Sequence, residues 1–251
     1  MERRSESEKI YILGGRKSEN YDELGRLAVT INKVFKDEGI NFQFVNDVFF
    51  KNHLPSISSA RAVIYLEKDG FRLNGISDFC QKNNIPLINL ATGLDIPKIK
   101  TVFVDAPNID IGILKKIKFI KKGVSGFIGK PDKYEAFITE AHQSGKKSIP
   151  GTAKVLQEIL VNICHPQIGS IRSPEVAKMM GIPNHALGGF GYHLVEIYED
   201  TSNGRKRIYK EELYVEGRES YALGLIKLIE IIPKLKKRYY HINEIVEKGL
   251  L

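Results

Sequence analysis

The feature that most constrains the fold is an alternation of short apolar runs and helix-like periods along the first half of the chain. Strand-like runs lie at residues 9–13, 41–45, 61–66, 86–90 and 101–104. Between them, residues 22–38 and 71–82 repeat apolar side chains at the spacing of one helix face. Strands that alternate with helices favour a parallel sheet covered on both faces. We therefore predict the α/β class, with a Rossmann-like doubly wound parallel sheet in the first domain.

The pattern changes after residue 110. Helical periods are predicted at residues 111–121, 152–164, 219–232 and 242–248. Strand-like runs lie at residues 134–141, 167–172, 186–190, 194–198 and 207–215. The segment Thr201-Ser202-Asn203-Gly204 is typical of a hairpin turn. A region with this much strand predicts an inserted α+β domain with a mixed sheet.

Composition narrows the class of protein. No apolar run approaches the roughly 18 residues that span a bilayer, and residues 1–8 are charged, unlike a signal peptide. The two cysteines, Cys80 and Cys164, fit a reducing cytosol rather than a disulfide framework. The six histidines show no metal-ligand spacing, so we expect no metal. These features predict a cytoplasmic protein without a membrane anchor.

The formal net charge of +8 favours anionic partners. Its basic clusters, at residues 115–122 and 234–238, lack the interleaved aromatic side chains of a single-strand binder. We therefore expect a small anionic ligand and no nucleic acid.

The segment 140–153 carries the strongest functional signal. His142 can titrate near neutrality, and Lys146 supplies a fixed cation four residues later. An amphipathic helix is predicted to begin at Pro150-Gly151-Thr152, where unpaired backbone N–H groups can bind a carboxylate or phosphate. We predict catalytic roles for His142 and Lys146, and substrate binding at Gly151 and Thr152.

This segment resembles the substrate loop of the 4-hydroxy-tetrahydrodipicolinate reductase family, the lysine-pathway enzymes with the motif E-x-H-H-x-x-K-x-D-x-P-S-G-T-A. The matching residues are Glu140, His142, Lys146, Pro150, Gly151, Thr152 and Ala153. Gln143 replaces the second histidine and Ser148 the aspartate, and the serine between proline and glycine is absent.

Three further segments extend the resemblance. Residues 106–112 are similar to the family's A-x-N-F-S-x-G hinge, residues 90–93 to its G-T-T-G cofactor loop, and residues 218–224 to its R-x-x-F-A-x-G return segment. The resemblance implies a nucleotide-binding domain of residues 1–110 and 218–251, with a substrate-binding and oligomerisation domain of residues 111–217 inserted. It also implies cofactor contacts at Thr92, Gly93, Asn108 and Ile109.

The glycine-rich turn departs from the family's G-x-x-G-R-M-G. Gly14, Gly15 and Arg16 align with it, and we predict that they bind cofactor, but a polar loop displaces the next glycine to Gly25. Two interpretations stay open. Either Arg16 and Lys17 bind phosphates, or the loop caps the following helix through Ser18 or Asp22. Asp47 is either a ribose ligand or a loop aspartate, so NADH and NADPH are both possible cofactors.

The resemblance implies NAD(P)H-dependent reduction of a cyclic imine or unsaturated dicarboxylate by a homotetramer. His142 would act as general acid, and Lys146 would pair with a substrate carboxylate. The altered motifs favour an alternative, a non-redox relative (cyclase, dehydratase or lyase) or a ligand-binding protein. His185 and His193 are predicted to be structural, and the glycines 188, 189 and 191 to form a bend or to permit close packing.

Overall fold

A computed structural model describes residues 9–14, 23–45, 57, 59–127, 133–142, 144, 149–182, 191–215 and 217–251. The chain divides into two compact units. Unit 1 comprises Met1–Ile111 with Glu219–Leu251, and unit 2 comprises Gly112–Arg218. Each unit has its own sheet.

The strands within the described residues are β1 (Ile10–Gly14), β2 (Phe42–Val45), β3 (Ala62–Leu66), β4 (Leu87–Asn89), β5 (Phe103–Asp105), β6 (Tyr134–Ala141), β7 (Gln167–Ile171), β8 (Tyr192–Thr201), β9 (Gly204–Tyr214) and β10 (Tyr239–His241). The α-helices with described bounds are α1 (Glu23–Asp37), α2 (Gly70–Asn83), α3 (Ile111–Gly123), α4 (Gly151–Leu160), α5 (Pro174–Met179), α6 (Glu219–Ile231) and α7 (Ile242–Glu247). Short 3₁₀ turns follow α3 at Val124–Phe127 and α6 at Ile232–Lys234.

Unit 1 contains a parallel sheet in the order β2-β1-β3-β4-β5-β10. Every residue of β1 and β3 is buried, as expected for central strands covered on both faces. Side chains of β1, β3 and α2 share one core cluster, and α1 packs against α6. The predicted α/β class and Rossmann-like parallel sheet are confirmed.

Unit 2 contains a mixed sheet in the order β7-β6-β8-β9. Strands β6 and β7 are parallel, whereas β6–β8 and β8–β9 are antiparallel, which confirms the predicted mixed sheet. Thr201 pairs with Gly204 at the end of β8 and β9, so the predicted hairpin turn is also confirmed. Helix α4 packs on β6 and β8 through Ala153, Leu156 and Leu160.

Two elements were not predicted. Helix α5 begins at Pro174, and the Ser173 hydroxyl accepts a hydrogen bond from the backbone N–H of Val176. This Ser-Pro start was a readable helix signal. Strand β10 has only three residues and follows a basic stretch, so its sequence carries little signal. The strand predicted at residues 186–190 lies outside the described residues, as does the charged leader at residues 1–8.

None of the helices that the structure describes is both long and apolar enough to cross a membrane.

Candidate functional site

The site in unit 2 is built around the buried carboxylate of Glu140. Strand alternation places Glu140 on the same face of β6 as the buried Ala136 and Ile138. The strand register then sets Ser170 of β7 beside it on one side and His193 of β8 on the other. A carboxylate buried there needs partners, because an unpaired charge is costly away from water.

Those partners come from β7 and from the residue that follows it. The Arg172 guanidinium donates two hydrogen bonds to the Glu140 carboxylate, Nη1 to Oε2 at 3.0 Å and Nη2 to Oε1 at 2.5 Å. The Ser170 hydroxyl donates to Oε1 at 2.5 Å. This bidentate arginine contact fixes the plane of the carboxylate and stabilises its negative charge.

Opposing influences act on the pKa of Glu140. Burial alone would raise it, but hydrogen bonds from His142, Arg172 and Ser170, together with the Arg172 charge, lower the pKa to about 2. The group is therefore a carboxylate at any physiological pH, and it acts only as a hydrogen-bond acceptor.

His142 lies directly after β6, and the Glu140 carboxylate contacts its ring. Nδ1 is 2.9 Å from Glu140 Oε2, and the backbone N–H donates to the Ile171 carbonyl at 3.2 Å. The His193 ring meets it edge to face, with centroids 5.5 Å apart. The His142 side chain is 11% exposed, so it is largely enclosed yet still reaches the surface. Since Nδ1 is engaged by Glu140, Nε2 is the nitrogen left for a ligand.

Gly191 provides the space that the His142 ring occupies. A Cβ built on Gly191 would lie 2.6 Å from His142 Nε2 and 3.1 Å from His193 Cε1. Because Glu140 and the backbone hold the ring, it cannot simply swing aside. This glycine is therefore required by close packing against the imidazole, in agreement with its predicted packing role.

The predicted anion-binding turn forms the start of α4. Gly151 and Thr152 are its first two residues, and no side chain caps the helix at Pro150. Gly151 is exposed and Thr152 half-buried. The first backbone N–H groups of a helix have no partner within it, and the helix dipole favours an anion there. Lys146 lies outside the described residues, so its predicted pairing with His142 stays a prediction.

Sequence reasoning missed part of this cluster. It gave Glu140 no role and did not select Ser170 or Arg172. One signal was available, since the period of β6 puts Glu140 among buried apolar residues, which implies a buried cation nearby. The identity of that cation was not readable, because Arg172 is brought in by the pairing of β6 with β7.

In unit 1, the predicted cofactor residues follow the carboxyl ends of parallel strands. Gly14 ends β1, Thr92 and Gly93 follow β4, and Asn108 and Ile109 follow β5. Parallel strands share one carboxyl edge, which is where ligands bind in open α/β sheets. Gly15 and Arg16 lie outside the described residues, as do Asp47 and His185. The placement is compatible with the predicted role and leaves that role a prediction.

The strand order locates the expected ligand crevice more closely. The chain runs from β1 outward to β2 and then returns to β3 on the other side of β1, so the topological switch lies between β1 and β3. Gly14 has φ +99°, and a Cβ there would collide with the Leu66 carbonyl oxygen and with the Glu67 side chain. The glycine at this position therefore lets the ends of β1 and β3 approach closely. A backbone without a side chain at the end of β1 also fits a dinucleotide.

A buried polar network stabilises the same edge at β4 and β5. The Asn89 side-chain amide donates to the Ala91 carbonyl at 3.0 Å and to Asp105 Oδ1 at 2.8 Å, and its oxygen accepts from the Ala91 N–H. Burial raises the pKa of Asp105, while Asn89, the His241 charge and Tyr239 oppose that rise without cancelling it. This network fixes the backbone that leads to Thr92.

The hinge-like and return-like segments meet within unit 1. The Ser220 hydroxyl donates to Asp110 Oδ2 at 2.8 Å, and the Asp110 N–H donates to Asn108 Oδ1 at 3.2 Å. A Cβ on Gly224 would lie 1.9 Å from the Ile109 carbonyl oxygen, so this position of α6 requires glycine. The contact gives Ile109 a packing role. Its cofactor contact stays a prediction.

Within the described ranges, no group of three or more His, Cys, Asp or Glu side chains is placed to hold a metal ion.

Taken together, a Rossmann-like unit with an inserted mixed-sheet unit defines a two-unit α/β protein, and similarity to known proteins narrows this class. No established family profile matches the chain. It is 28% identical to a probable 4-hydroxy-tetrahydrodipicolinate reductase 2, chloroplastic, of Oryza sativa subsp. japonica, over 126 residues that cover 46% of this chain and 38% of the relative. It is 26% identical to the probable reductase 1 of the same plant, with 46% and 36% covered.

These matches confirm the resemblance that the motifs predicted. The matched segment spans less than two fifths of the length of the curated relatives. Among solved structures, the C. glutamicum DAP dehydrogenase in complex with DAP has a TM-score of 0.50 at 10% identity, with 96% of this chain and 94% of that chain covered. An engineered D-amino acid dehydrogenase also has a TM-score of 0.50 at 10% identity, with 94% of each chain covered. At such identity the structural likeness shows the fold alone.

Proposed function

We propose that the protein is an oxidoreductase that uses NADH or NADPH to reduce a cyclic imine or unsaturated dicarboxylate, as the names of its sequence relatives suggest. The observation that carries the proposal is the ring of His142, held at Nδ1 by a buried carboxylate and lying nine residues before Gly151, the first residue of α4. A proton donor and an anion-binding turn are the two groups that such a substrate requires.

The residues of unit 2 would bind and protonate the substrate. One substrate carboxylate would accept hydrogen bonds from the N–H groups of Gly151 and Thr152 at the start of α4, and Lys146 would pair with a carboxylate. His142 would deliver a proton to the ring atom next to the carbon that receives hydride. The double bond is thereby reduced by one hydride and one proton, and the dinucleotide is oxidised.

The carboxyl edge of unit 1 would hold the cofactor, which supplies the hydride when bound. Gly14 would let the backbone approach a pyrophosphate, and Gly15 and Arg16 would also bind the cofactor. Thr92, Gly93 and Asn108 follow neighbouring strands of the same edge and would line the nicotinamide half. The backbone at Thr92 is ordered by the buried Asn89 network, which supports a fixed rather than adaptable contact.

Titration with NADH and with NADPH, followed by nicotinamide fluorescence and by thermal shift, tests the cofactor. Saturation at micromolar levels supports the proposal, and no binding at millimolar levels rejects it. His142→Ala and Lys146→Ala should each abolish turnover of 4-hydroxy-tetrahydrodipicolinate with little change in Tm. His165→Ala is the control, because His165 is an exposed histidine of the same unit. Equal losses in the His142 and His165 variants would contradict the proposal.

One observation favours the non-redox alternative, a relative that retains the anion site without nicotinamide binding. The side chain that packs against Gly14 belongs to Glu67, an anion whose Oε2 lies 2.9 Å from Arg72 Nη1. A carboxylate beside the end of β1 opposes a pyrophosphate there. The alternative replaces the reductase proposal if neither dinucleotide binds while the dicarboxylate substrate still protects the amides at the start of α4 from hydrogen exchange.

We also propose a homo-oligomer, a tetramer by the family resemblance, formed through the sheet of unit 2. Phe137 and Tyr198 are partly exposed on one face of this sheet, and the Arg205 guanidinium lies over both rings at 4.9 and 4.6 Å. Partly exposed aromatic side chains and arginine are enriched at interfaces. Light scattering that gives the mass of one 28.4 kDa chain at micromolar concentration would contradict this assembly.

A further inference from the structure

We propose that Glu140 is a positioning residue that keeps the proton of neutral His142 on Nδ1, so that Nε2 is the atom that exchanges a proton with the substrate. The proposal rests on the proposed function for its chemical purpose. The tautomer and the orientation of the His142 imidazole, however, do not depend on which reaction the protein catalyses.

The contact between Glu140 and His142 determines which ring nitrogen carries the proton. Neutral imidazole carries a proton on one nitrogen only, and the hydrogen bond of one nitrogen decides which. His142 Nδ1 faces Glu140 Oε2 at 2.9 Å, and an ionised carboxylate can only accept. Nδ1 must therefore be the donor, and the lone pair of the neutral ring lies on Nε2.

The Glu140 carboxylate is held in one orientation and in its charged form. Arg172 grips both oxygens, and Ser170 donates to Oε1, so Oε2 keeps its direction toward the imidazole. The Glu140 side chain is fully buried, and that of Arg172 is 23% exposed. A charge-assisted contact in such surroundings is stronger than the same contact in water.

The opposite side of the His142 ring is fixed by packing. Gly191 lies beside Nε2 without a side chain, and the His193 ring packs against the His142 ring at 5.5 Å. Packing and the Glu140 hydrogen bond thus fix the ring in two directions. A proton that leaves Nε2 returns the ring to the tautomer that Glu140 already favours, so no ring flip is needed between turnovers.

The experiment reads the tautomer directly. Histidine-selective ¹⁵N labelling and long-range ¹H–¹⁵N correlation distinguish Nδ1, which couples to one ring proton, from Nε2, which couples to both. At about pH 9, where a histidine in a model peptide is neutral, wild type should show protonated Nδ1 and unprotonated Nε2. The signals are assigned by their absence in His142→Gln.

Glu140→Gln keeps the volume and removes the charge. The amide can donate or accept, so the ratio of the two His142 tautomers should move toward Nε2–H by about tenfold or more, as expected when a charge-assisted hydrogen bond is lost. Glu196→Gln is the matched control, since Glu196 is a glutamate of β8 that pairs with Arg207. It should leave the His142 signals unchanged.

Two results overturn the proposal. One is Nε2–H as the main neutral form in wild type, which decides the matter even if Glu140→Gln fails to fold. The other is a folded Glu140→Gln protein with the wild-type tautomer ratio.

Enzyme kinetics test the functional effect of Glu140 and distinguish failure of its positioning role from failure of the proposed reductase function. If the enzyme reduces the dicarboxylate, Glu140→Gln should lower kcat by about 100-fold and leave KM for the substrate nearly unchanged, because the anion site at α4 is untouched. If wild type neither binds dinucleotide nor turns over, the proposed function fails, yet the wild-type tautomer still supports or overturns the role of Glu140.

Discussion

Glu140 in unit 2 and Asp105 in unit 1 are similar carboxylates with opposite electrostatics. Each lies in the last residues of a strand and has a histidine within electrostatic reach, and Glu140 is fully buried whereas Asp105 is half-buried. Burial acts on both in the same direction. Yet the pKa of Glu140 is lowered to about 2, whereas the pKa of Asp105 is raised.

The difference lies in the partner that accompanies each carboxylate. Arg172 brings a full positive charge and two donors to Glu140, whereas Asn89 brings a neutral amide to Asp105 at 2.8 Å. At Asp105 the hydrogen bonds and the His241 charge offset only part of the desolvation of the carboxylate, whereas at Glu140 the hydrogen bonds from His142, Arg172 and Ser170, together with the Arg172 charge, outweigh it. Arg172 and Ser170 thereby hold the Glu140 carboxylate as an acceptor for His142, and Asp105 remains part of the network that shapes the edge of the unit 1 sheet.

Removing the cation should make Glu140 resemble Asp105, with the largest effect of any change considered. Arg172→Met leaves a buried carboxylate without its counter-charge, and loss of one partner of a buried pair costs about 3–5 kcal/mol. Native-state hydrogen exchange of the β6 and β8 amides measures the loss within unit 2. Arg207→Met is the control, because its pair with Glu196 is 49% exposed on the arginine side and should contribute less than about 1 kcal/mol. Equal losses in the two variants would show that Arg172 does not act as a buried counter-charge.

Acid should remove the same stabilisation without mutation. The native pKa of Glu140 is about 2, below its ordinary value of 4.5, so the unfolded state binds the proton more tightly. The contribution of Glu140 to the free energy of unfolding is then fully present above about pH 4.5, and it falls by on the order of 3 kcal/mol as the pH drops toward 2. Urea unfolding of wild type and Glu140→Gln across this window isolates the contribution. Parallel curves for the two proteins would contradict it.

A smaller effect is expected when the space beside the imidazole is filled. Gly191→Ala places a methyl group 2.6 Å from His142 Nε2, and overpacking of a held ring costs about 1–3 kcal/mol. The His142 ring signals should shift in the same variant. Gly169→Ala is the control, since a Cβ there meets no heavy atom within 4 Å. A Gly191→Ala protein as stable as wild type, with unshifted ring signals, would mean that the ring is free to move.

The comparison also shows how far the sequence could lead. The alternation of apolar runs predicted the parallel sheet, and strand periodicity placed Glu140 on a buried face. The family-like motif pointed to His142. It could not name Arg172, which lies 32 residues from Glu140 and reaches it only through the parallel register of β6 and β7. Register depends on packing across the whole sheet, and a single sequence does not state it.

The return-like segment shows the same limit in unit 1. Its glycine was recognised by resemblance, but its physical cause is the contact of Gly224 with the Ile109 carbonyl, between residues more than a hundred positions apart. Short elements were missed for a different reason. Strand β10 has three residues, too few for an alternating pattern, and β5 orders it by pairing at Phe103–Asp105.

The smallest expected effect is a gain in stability, opposite in sign to the loss expected for Arg172→Met. Asp105→Asn removes a carboxylate whose charged form is disfavoured, and the new amide oxygen can still accept from Asn89. The native pKa of Asp105 is raised, so the native state binds the proton more tightly than the unfolded state, and the contribution of Asp105 to stability becomes more favourable as the pH falls. Asp105→Asn should therefore stabilise unit 1 at pH 7 by less than about 1 kcal/mol, and the gain should vanish in acid.

Hydrogen exchange of the β4 and β5 amides at neutral and acid pH measures this difference. Asp95→Asn, an exposed aspartate of the same unit, should change stability by no more than about 0.5 kcal/mol at either pH. A clear loss in Asp105→Asn at pH 7 would mean that a cation stabilises Asp105 as Arg172 stabilises Glu140. The contrast between the two carboxylates would then disappear, because Glu140 of β6 and Asp105 of β5 would both be ionised acceptors stabilised by a nearby cation.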